Sequence, residues 1–342
     1  MKTADKDFLS DCALGKIRGS YRVAGKNKKL TELTSAEWSQ ITVLDLSSNR
    51  LTDVSPLAGM HKLRGLYLCS NELSDVSPLR GLTKLRYIDL SGNQITDASP
   101  LSGLKRLTDL YLCSNQLTDV APLAGLTKLR WLGLSSNQLQ DLSALSRLTN
   151  LWGLYLGDNQ ITDVAPLCGL AKLRWLALGE NQLQDVTPLA GLTKLRNLYL
   201  SSNQLTDVSP LRGMHKLEWL YLCSNELTDV SPLRGLTELR YIDLCSNRLT
   251  LVPPLFGMTK LTTLFLIGNQ LTDVSGLGRL KQLRGLYLAG NALTDVSGLS
   301  RLTNLRWLGL SSNQITDVAP LAGLTKLRWL GLDGKTNALK KI

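Results

Sequence analysis

Residues 63–84 read LRGLYLCSNELSDVSPLRGLTK, and this 22-residue phrase returns through most of the 342-residue chain. Its asparagine, Asn71, belongs to an unbroken series at that spacing: Asn49, Asn71, Asn93, Asn115, Asn137, Asn159, Asn181, Asn203, Asn225, Asn247, Asn269, Asn291 and Asn313. A fixed period in this range marks stacked coils, each too small to bury its own apolar face. The alternating segment LxLxx predicts a short strand with one face inward. Equivalent strands of successive coils then stack in parallel, roughly 4.8 Å apart. The asparagine closes the strand inside the coil, where its amide can donate to and accept from main-chain groups of adjacent turns.

Beyond the strand comes Asp-Val-Ser-Pro-Leu, as at Asp53–Leu57. The hydroxyl is expected to cap a helical start, with proline in the first turn where its missing N–H costs nothing. Too few residues remain for a full α-helix, so the spacing predicts a short 3₁₀ turn. Of the 11 prolines, only Pro253 lies outside this slot, while Ala144, Gly276 and Gly298 replace proline in three coils. The coil at Leu251, Val252, Pro253 and Pro254 lacks both Asp and Ser and is the expected irregularity.

The recurring LxxLxLxxNxLxDVxPLxGLxx is a leucine-rich repeat. With its D-[VI]-x-P-L turn, it resembles the internalin-like class of bacterial surface and effector proteins. More loosely, it is similar to the leucine-rich regulatory subunit of phosphatase 1, which has the same period. The resemblance spans about residues 41–334 and implies an α/β leucine-rich-repeat solenoid. A curved parallel β-sheet would form the concave face, with short 3₁₀ turns on the convex face. The organisation expected is a cap with a degenerate first repeat (1–40), the repeats (41–334) and a tail (335–342). In the cap, Asp5–Lys16 suggests a short amphipathic helix turning Phe8, Leu9, Cys12 and Ile17 inward, and Asn27, Leu30, Leu33 and Trp38 echo a repeat.

The net charge is +11. No apolar run approaches the 18 or so residues of a membrane span. The segment after Met1 lacks the apolar core of a secretory signal, which suggests a cytoplasmic chain with effector secretion left open. Cys69, Cys113, Cys223 and Cys245 share one slot two residues before the asparagine, and only Cys223 and Cys245 are in adjacent coils. Free thiols are the expectation, since a disulfide framework suits small secreted domains.

Six and four residues before each asparagine, side chains point onto the concave surface. A bulky ring in one slot usually meets a small or acidic residue in the other. The rings are Tyr67, Tyr87, Tyr111, Trp131, Tyr155, Trp175, Tyr199, Trp219, Tyr221, Tyr241, Phe265, Tyr287, Trp307 and Trp329. Beside them runs an arginine column that includes Arg130, Arg174, Arg196 and Arg240; lysines lie two residues further back, and an Asp column lies beyond the strand. Aromatic and Arg residues concentrated on one surface point to a protein-binding face whose partner, a protein or peptide, has acidic character. The alternative is a nucleic acid or other polyanion along the basic edge. A purely packing role for the rings is the third reading.

No catalytic residue, cofactor or metal site is expected. His61 and His215 occupy one repeat slot seven coils apart, and Gly334-Lys335-Thr336 lacks the first glycine of a phosphate-binding loop. Gly59–Asn93 recurs almost verbatim at Gly213–Asn247, an offset of seven coils, as block duplication would leave it.

Overall fold

The computed structural model describes residues 17–23, 26–332 and 335–336. The helix expected over Asp5–Lys16 and the tail residues 337–342 lie outside them. Two compact units divide between Leu173 and Arg174.

The first unit opens with an antiparallel hairpin, β1 (Ser20–Val23) and β2 (Lys26–Lys29). The repeats then contribute β3 (Val43–Asp45), β4 (Gly65–Tyr67), β5 (Tyr87–Asp89), β6 (Asp109–Tyr111), β7 (Trp131–Gly133) and β8 (Gly153–Tyr155). These pair in parallel and in register, so that Leu44, Leu66, Ile88, Leu110, Leu132 and Leu154 form one row. The second unit repeats the arrangement with β9 (Trp175–Ala177), β10 (Asn197–Tyr199), β11 (Trp219–Tyr221), β12 (Tyr241–Asp243), β13 (Thr263–Phe265), β14 (Gly285–Tyr287), β15 (Trp307–Gly309) and β16 (Trp329–Leu332). A final strand, β17 (Lys335–Thr336), pairs antiparallel with β16. Within each unit short 3₁₀ turns alternate with the strands, for example Ser77–Gly81. This is a leucine-rich-repeat solenoid architecture.

A coil's core consists of its periodic apolar residues. Leu63, Leu66, Leu68, Leu73, Val76, Leu79 and Leu82 are all fully buried or nearly so. Each contributes about 1.5–3 kcal/mol of burial, before the conformational entropy that opposes folding is subtracted. Asn71 is buried with them. Its Nδ2 donates to the Leu46 and Leu68 carbonyls at 3.0 Å each, and its Oδ1 accepts from Leu51 N at 2.9 Å. The amide therefore ties one coil's turn to the coil before it, and Asn93, Asn115 and Asn137 repeat the pattern.

To aim that amide inward, the preceding residue adopts a positive φ: 56° at Ser70, 52° at Ser114 and 55° at Glu180. Glycine supplies the same conformation at Gly92 and Gly268 without steric cost.

The turn's cap differs from the expectation. Val54, the residue flanking the turn, makes no side-chain capping bond. Instead Asp53 Oδ1 accepts from Ser55 N at 2.7 Å, and the Ser55 hydroxyl donates to Asp53 Oδ2 at 2.6 Å. Where alanine replaces the serine, the carboxylate bond persists, at 2.7 Å for Ala121 N and 2.8 Å for Ala165 N. A carboxylate two residues upstream reaches the open N–H as an Asx turn, so the charged Asp caps the turn and the hydroxyl only braces it. The Asp column is thus structural as well as acidic. Bonds from Ser77 and Ser99 hold the Asp75 and Asp97 carboxyls below their usual range. The coil without this Asp keeps its turn, Pro253–Gly257, and leaves Leu251 exposed.

The N-terminal region also departs from a further coil. Asn27, although on the 22-residue register, lies in an antiparallel hairpin, and β1 lies antiparallel on β3. The hairpin occupies the edge of β3 with strands running against it, so a further parallel coil cannot stack there in register. Arg18 completes the ladder: its N–H donates to Asn49 Oδ1 at 2.5 Å and its carbonyl accepts from Asn49 Nδ2 at 2.7 Å. Beneath this hairpin, the buried Tyr21 hydroxyl donates to Glu37 Oε2 at 2.8 Å, and Lys28 donates to Glu37 Oε1 at 2.6 Å.

Candidate functional site

The strand-face rings of each unit form overlapping ladders. In the first unit, Tyr67 and Tyr87 have ring centroids 4.6 Å apart, and Tyr87 and Tyr111 5.7 Å. Trp131 stacks on Tyr155 at 6.3 Å. In the second unit the ladder runs from Trp175 to Tyr199 at 5.3 Å and from Tyr199 to Tyr221 at 4.2 Å. It continues to Tyr241, Phe265 and Tyr287 at 4.7, 5.4 and 4.3 Å. Trp219 stacks beside it on Tyr241, and Tyr287 reaches Trp329.

The pairing of rings with small residues has a packing cause. A Cβ on Gly153 would lie 2.1 Å from the Trp131 ring, and one on Gly133 would lie 2.8 Å from Tyr111. Trp131 and Tyr111 thus each lie over the glycine of the next coil. Several ring faces cover one another, as Tyr199 and Tyr221 do at an interplanar angle of 11° and Phe265 and Tyr287 at 3°. Trp219 and Trp307 project further, at 38% and 39% exposed. Burial, reinforced by neighbouring carboxylates such as Asp89 and Asp109, raises the Tyr87 phenol and pushes Tyr111 up to about 12. These hydroxyls therefore remain protonated donors at neutral pH.

The arginine column is not uniform. Arg196 and Arg240 both face Glu218, which occupies an arginine slot, and Lys260 pairs with Glu238 at 2.6 Å. Arg174 is exposed. Arg130 lies over the ring of Trp152, 5.1 Å from its centroid. Trp152 is 37% exposed and was missed among the sequence candidates because it stands in the arginine slot rather than a ring slot. In the first unit, Arg86, Arg106, Thr108 and Lys128 line a cavity of about 450 Å³ with no carboxylate on its wall.

Among the described residues no group of three or more His, Cys, Asp or Glu could hold a metal ion, and no helix is long and apolar enough to cross a membrane. His215 Nδ1 lies 3.1 Å from the Gly235 carbonyl, at the end of the turn Ser231–Gly235. Cys69, Cys113, Cys168, Cys223 and Cys245 are free thiols; desolvation raises that of Cys245, the buried one.

Family models described as leucine rich repeat match residues 38–95, 105–161 and 193–249, and a two-copy form matches 83–125, 171–213 and 259–301. The chain belongs to the leucine-rich repeat family. Its internalin-like character follows from solved structures. An internalin (InlF) from Listeria monocytogenes is 35% identical over 97% of this chain and 96% of its own, with a TM-score of 0.86. A leucine-rich repeat protein of Leptospira interrogans is 29% identical over 84% of this chain and 77% of its own, with a TM-score of 0.78. The ectodomain of the Arabidopsis thaliana receptor kinase GASSHO1/SCHENGEN3, in complex with Casparian strip integrity factor 2, is 25% identical. That likeness covers 86% of this chain and 42% of the receptor, with a TM-score of 0.65. Among curated protein sequences none matches.

Proposed function

We propose that this leucine-rich repeat protein is a non-catalytic module that binds a protein or peptide on its strand face. On this reading residues 41–334 form the binding array and residues 1–40 its cap. The observation that carries the proposal is the one-sided ring column, with Trp219 and Trp307 projecting from it and protonated tyrosine hydroxyls among the rings. Rings held rigid by their neighbours lose little entropy on binding, and Trp, Tyr and Arg dominate interface energetics. The GASSHO1 ectodomain in complex with Casparian strip integrity factor 2 supports the reading as a similar fold that carries another protein. Arg and Lys beside the rings favour an acidic partner and speed its encounter. A role as an effector or interaction scaffold fits such a module.

The second reading, a polyanion on the basic edge, draws on the carboxylate-free wall around Arg86, Arg106 and Lys128. Against a single-stranded nucleic acid stands the ring stacking, because bases need open ring faces. Selection from a displayed peptide library, counter-screened with a Trp219→Ala/Trp307→Ala variant, tests the proposal. Enriched acidic sequences should lose the variant and keep the parent; binders indifferent to both rings overturn the assignment of this face.

A further inference from the structure

The pentapeptide Arg-Leu-Thr-Asn-Leu occurs twice, at 147–151 and 301–305, an offset of seven 22-residue coils. Its asparagines, Asn150 and Asn304, stand in a slot that lysine fills in most coils. Each makes the same two bonds. Asn150 Nδ2 donates to the Thr127 carbonyl at 2.9 Å, and its Oδ1 accepts from Lys172 Nζ at 2.7 Å. Asn304 Nδ2 donates to the Lys281 carbonyl at 2.9 Å, and its Oδ1 accepts from Lys326 Nζ at 2.7 Å. The amide is anchored on backbone and in turn fixes one ammonium, which keeps its other donors for a ligand.

Each asparagine also lines a cavity, of about 280 Å³ around Asn150 and about 270 Å³ around Asn304. The first includes Lys128, Arg130 and Lys172; the second includes Arg284, Arg306 and Lys326. Across the seven-coil offset, Lys128 becomes Gln282 and Trp152 becomes Arg306, so a cation lost in one slot returns in another. Both walls present three cations and no carboxylate, as the cavity of Arg86, Arg106 and Lys128 also does, but that cavity's wall has no asparagine fixing a lysine. In the coils of Arg196–Glu218–Arg240 and Glu238–Lys260, by contrast, a carboxylate stands among the cations.

We propose that the chain carries two equivalent oxyanion sites, one in each unit, each taking the carboxylates of a short acidic peptide segment. Guanidinium groups match carboxylates bidentately, and Arg130, lying over the Trp152 ring, can still offer its edge N–H groups. A cavity of this size admits one or two acidic side chains rather than a folded element. A nucleic acid is disfavoured because the Trp131 face beside the first site is stacked on Tyr155 and the Trp152 face carries Arg130, so neither is open to a base. The inference rests on the peptide-binding reading above and adds to it the ligand group, the sites and their number.

Calorimetric titration of the full chain with an acetylated, amidated hexaglutamate peptide at low salt tests it. The expected result is two equivalents of peptide per chain. Arg130→Glu/Lys172→Glu should remove one equivalent, Arg284→Glu/Lys326→Glu the other, and the combination both. Asn150→Asp and Asn304→Asp, which place a carboxylate on the fixed lysine and give up the amide's bond to the backbone carbonyl at this exposed edge, should act likewise without altering the circular dichroism. No binding by the parent, a single equivalent, or a stoichiometry blind to these substitutions overturns the proposal. So does tighter binding of a thymidine oligonucleotide of equal charge. Library-selected peptides that still need Trp219 and Trp307 while hexaglutamate fails would remove the paired sites alone. The reverse pattern would remove the ring-face reading and leave the sites standing.

Discussion

The asparagine column and the ring column share one period and lie only four residues apart at Tyr67 and Asn71, yet different physics holds them. The asparagines are chosen by need: each buried amide satisfies backbone groups that water cannot reach, and the slot tolerates no substitute between Asn49 and Asn313. The rings are chosen by fit. Tyr, Trp, Phe, Gly, Ala and Asp exchange freely there, provided a neighbouring coil makes room, as Gly153 does for Trp131. Uniformity therefore marks the scaffold, and correlated variation marks the surface.

The largest effect should come from breaking the invariant column. Asn137 Nδ2 donates to the carbonyls of Leu112 and Leu134, and its Oδ1 accepts from Leu117 N. Asn137→Ala strands these groups at about 1–3 kcal/mol each, so denaturant unfolding should show a loss of several kcal/mol. Next comes the variable column broken at its fitted point. Gly153→Ala forces the Trp131 ring from its place at about 1–3 kcal/mol. Substituting Trp131→Ala in the same chain should recover most of that loss, a coupling that a double-mutant cycle measures. An Asp-capped turn sits lower still: Asp75→Ala should cost about 0.5–2 kcal/mol, as loss of a helix cap does. Asp75→Asn, which keeps the acceptor, should cost less.

Acid pH sharpens the contrast further. Hydrogen bonds hold the Asp75, Asp97, Asp185 and Asp229 carboxyls below the ordinary 3.8. Lys28 and then Tyr21 hold Glu37 down to about 2, from 4.5. A depressed folded-state value stabilises above the unfolded value and is lost as pH falls through the folded one. Thermal melts should therefore be level above about pH 5 and fall from pH 4.5 towards 2. Replacing Glu37 by Gln should flatten the lowest part of that fall, whereas ring substitutions should not change its shape. Smallest of all in stability is Glu218→Gln, since exposed ion pairs contribute about 0–1 kcal/mol. Its readout is association with an acidic peptide, which should quicken and become more salt-sensitive once Arg196 and Arg240 lose their partner.

The sequence by itself determined the coil, its length, the parallel strand, the 3₁₀ turn and the inward asparagine, because each is local and repeated thirteen times by the asparagine series. It also located the ring and arginine columns, since strand alternation fixes which slots face outward. Four things were decided only in the tertiary structure. Asp rather than Ser caps the turn because the carboxylate reaches the N–H two residues on. Antiparallel strands pair with β3 in the first unit and β16 in the second and occupy the edges on which a further parallel coil would stack. Gly153 and Gly133 leave space for rings of the preceding coil, a relation across 22 residues that reading within one coil conceals. And the field of the basic edge depends on which cations meet Glu218 or Glu238 and which meet only amides, as Lys172 and Lys326 do. Charges 22 residues apart in sequence become neighbours only when the coils stack, so their sum is a property of the fold.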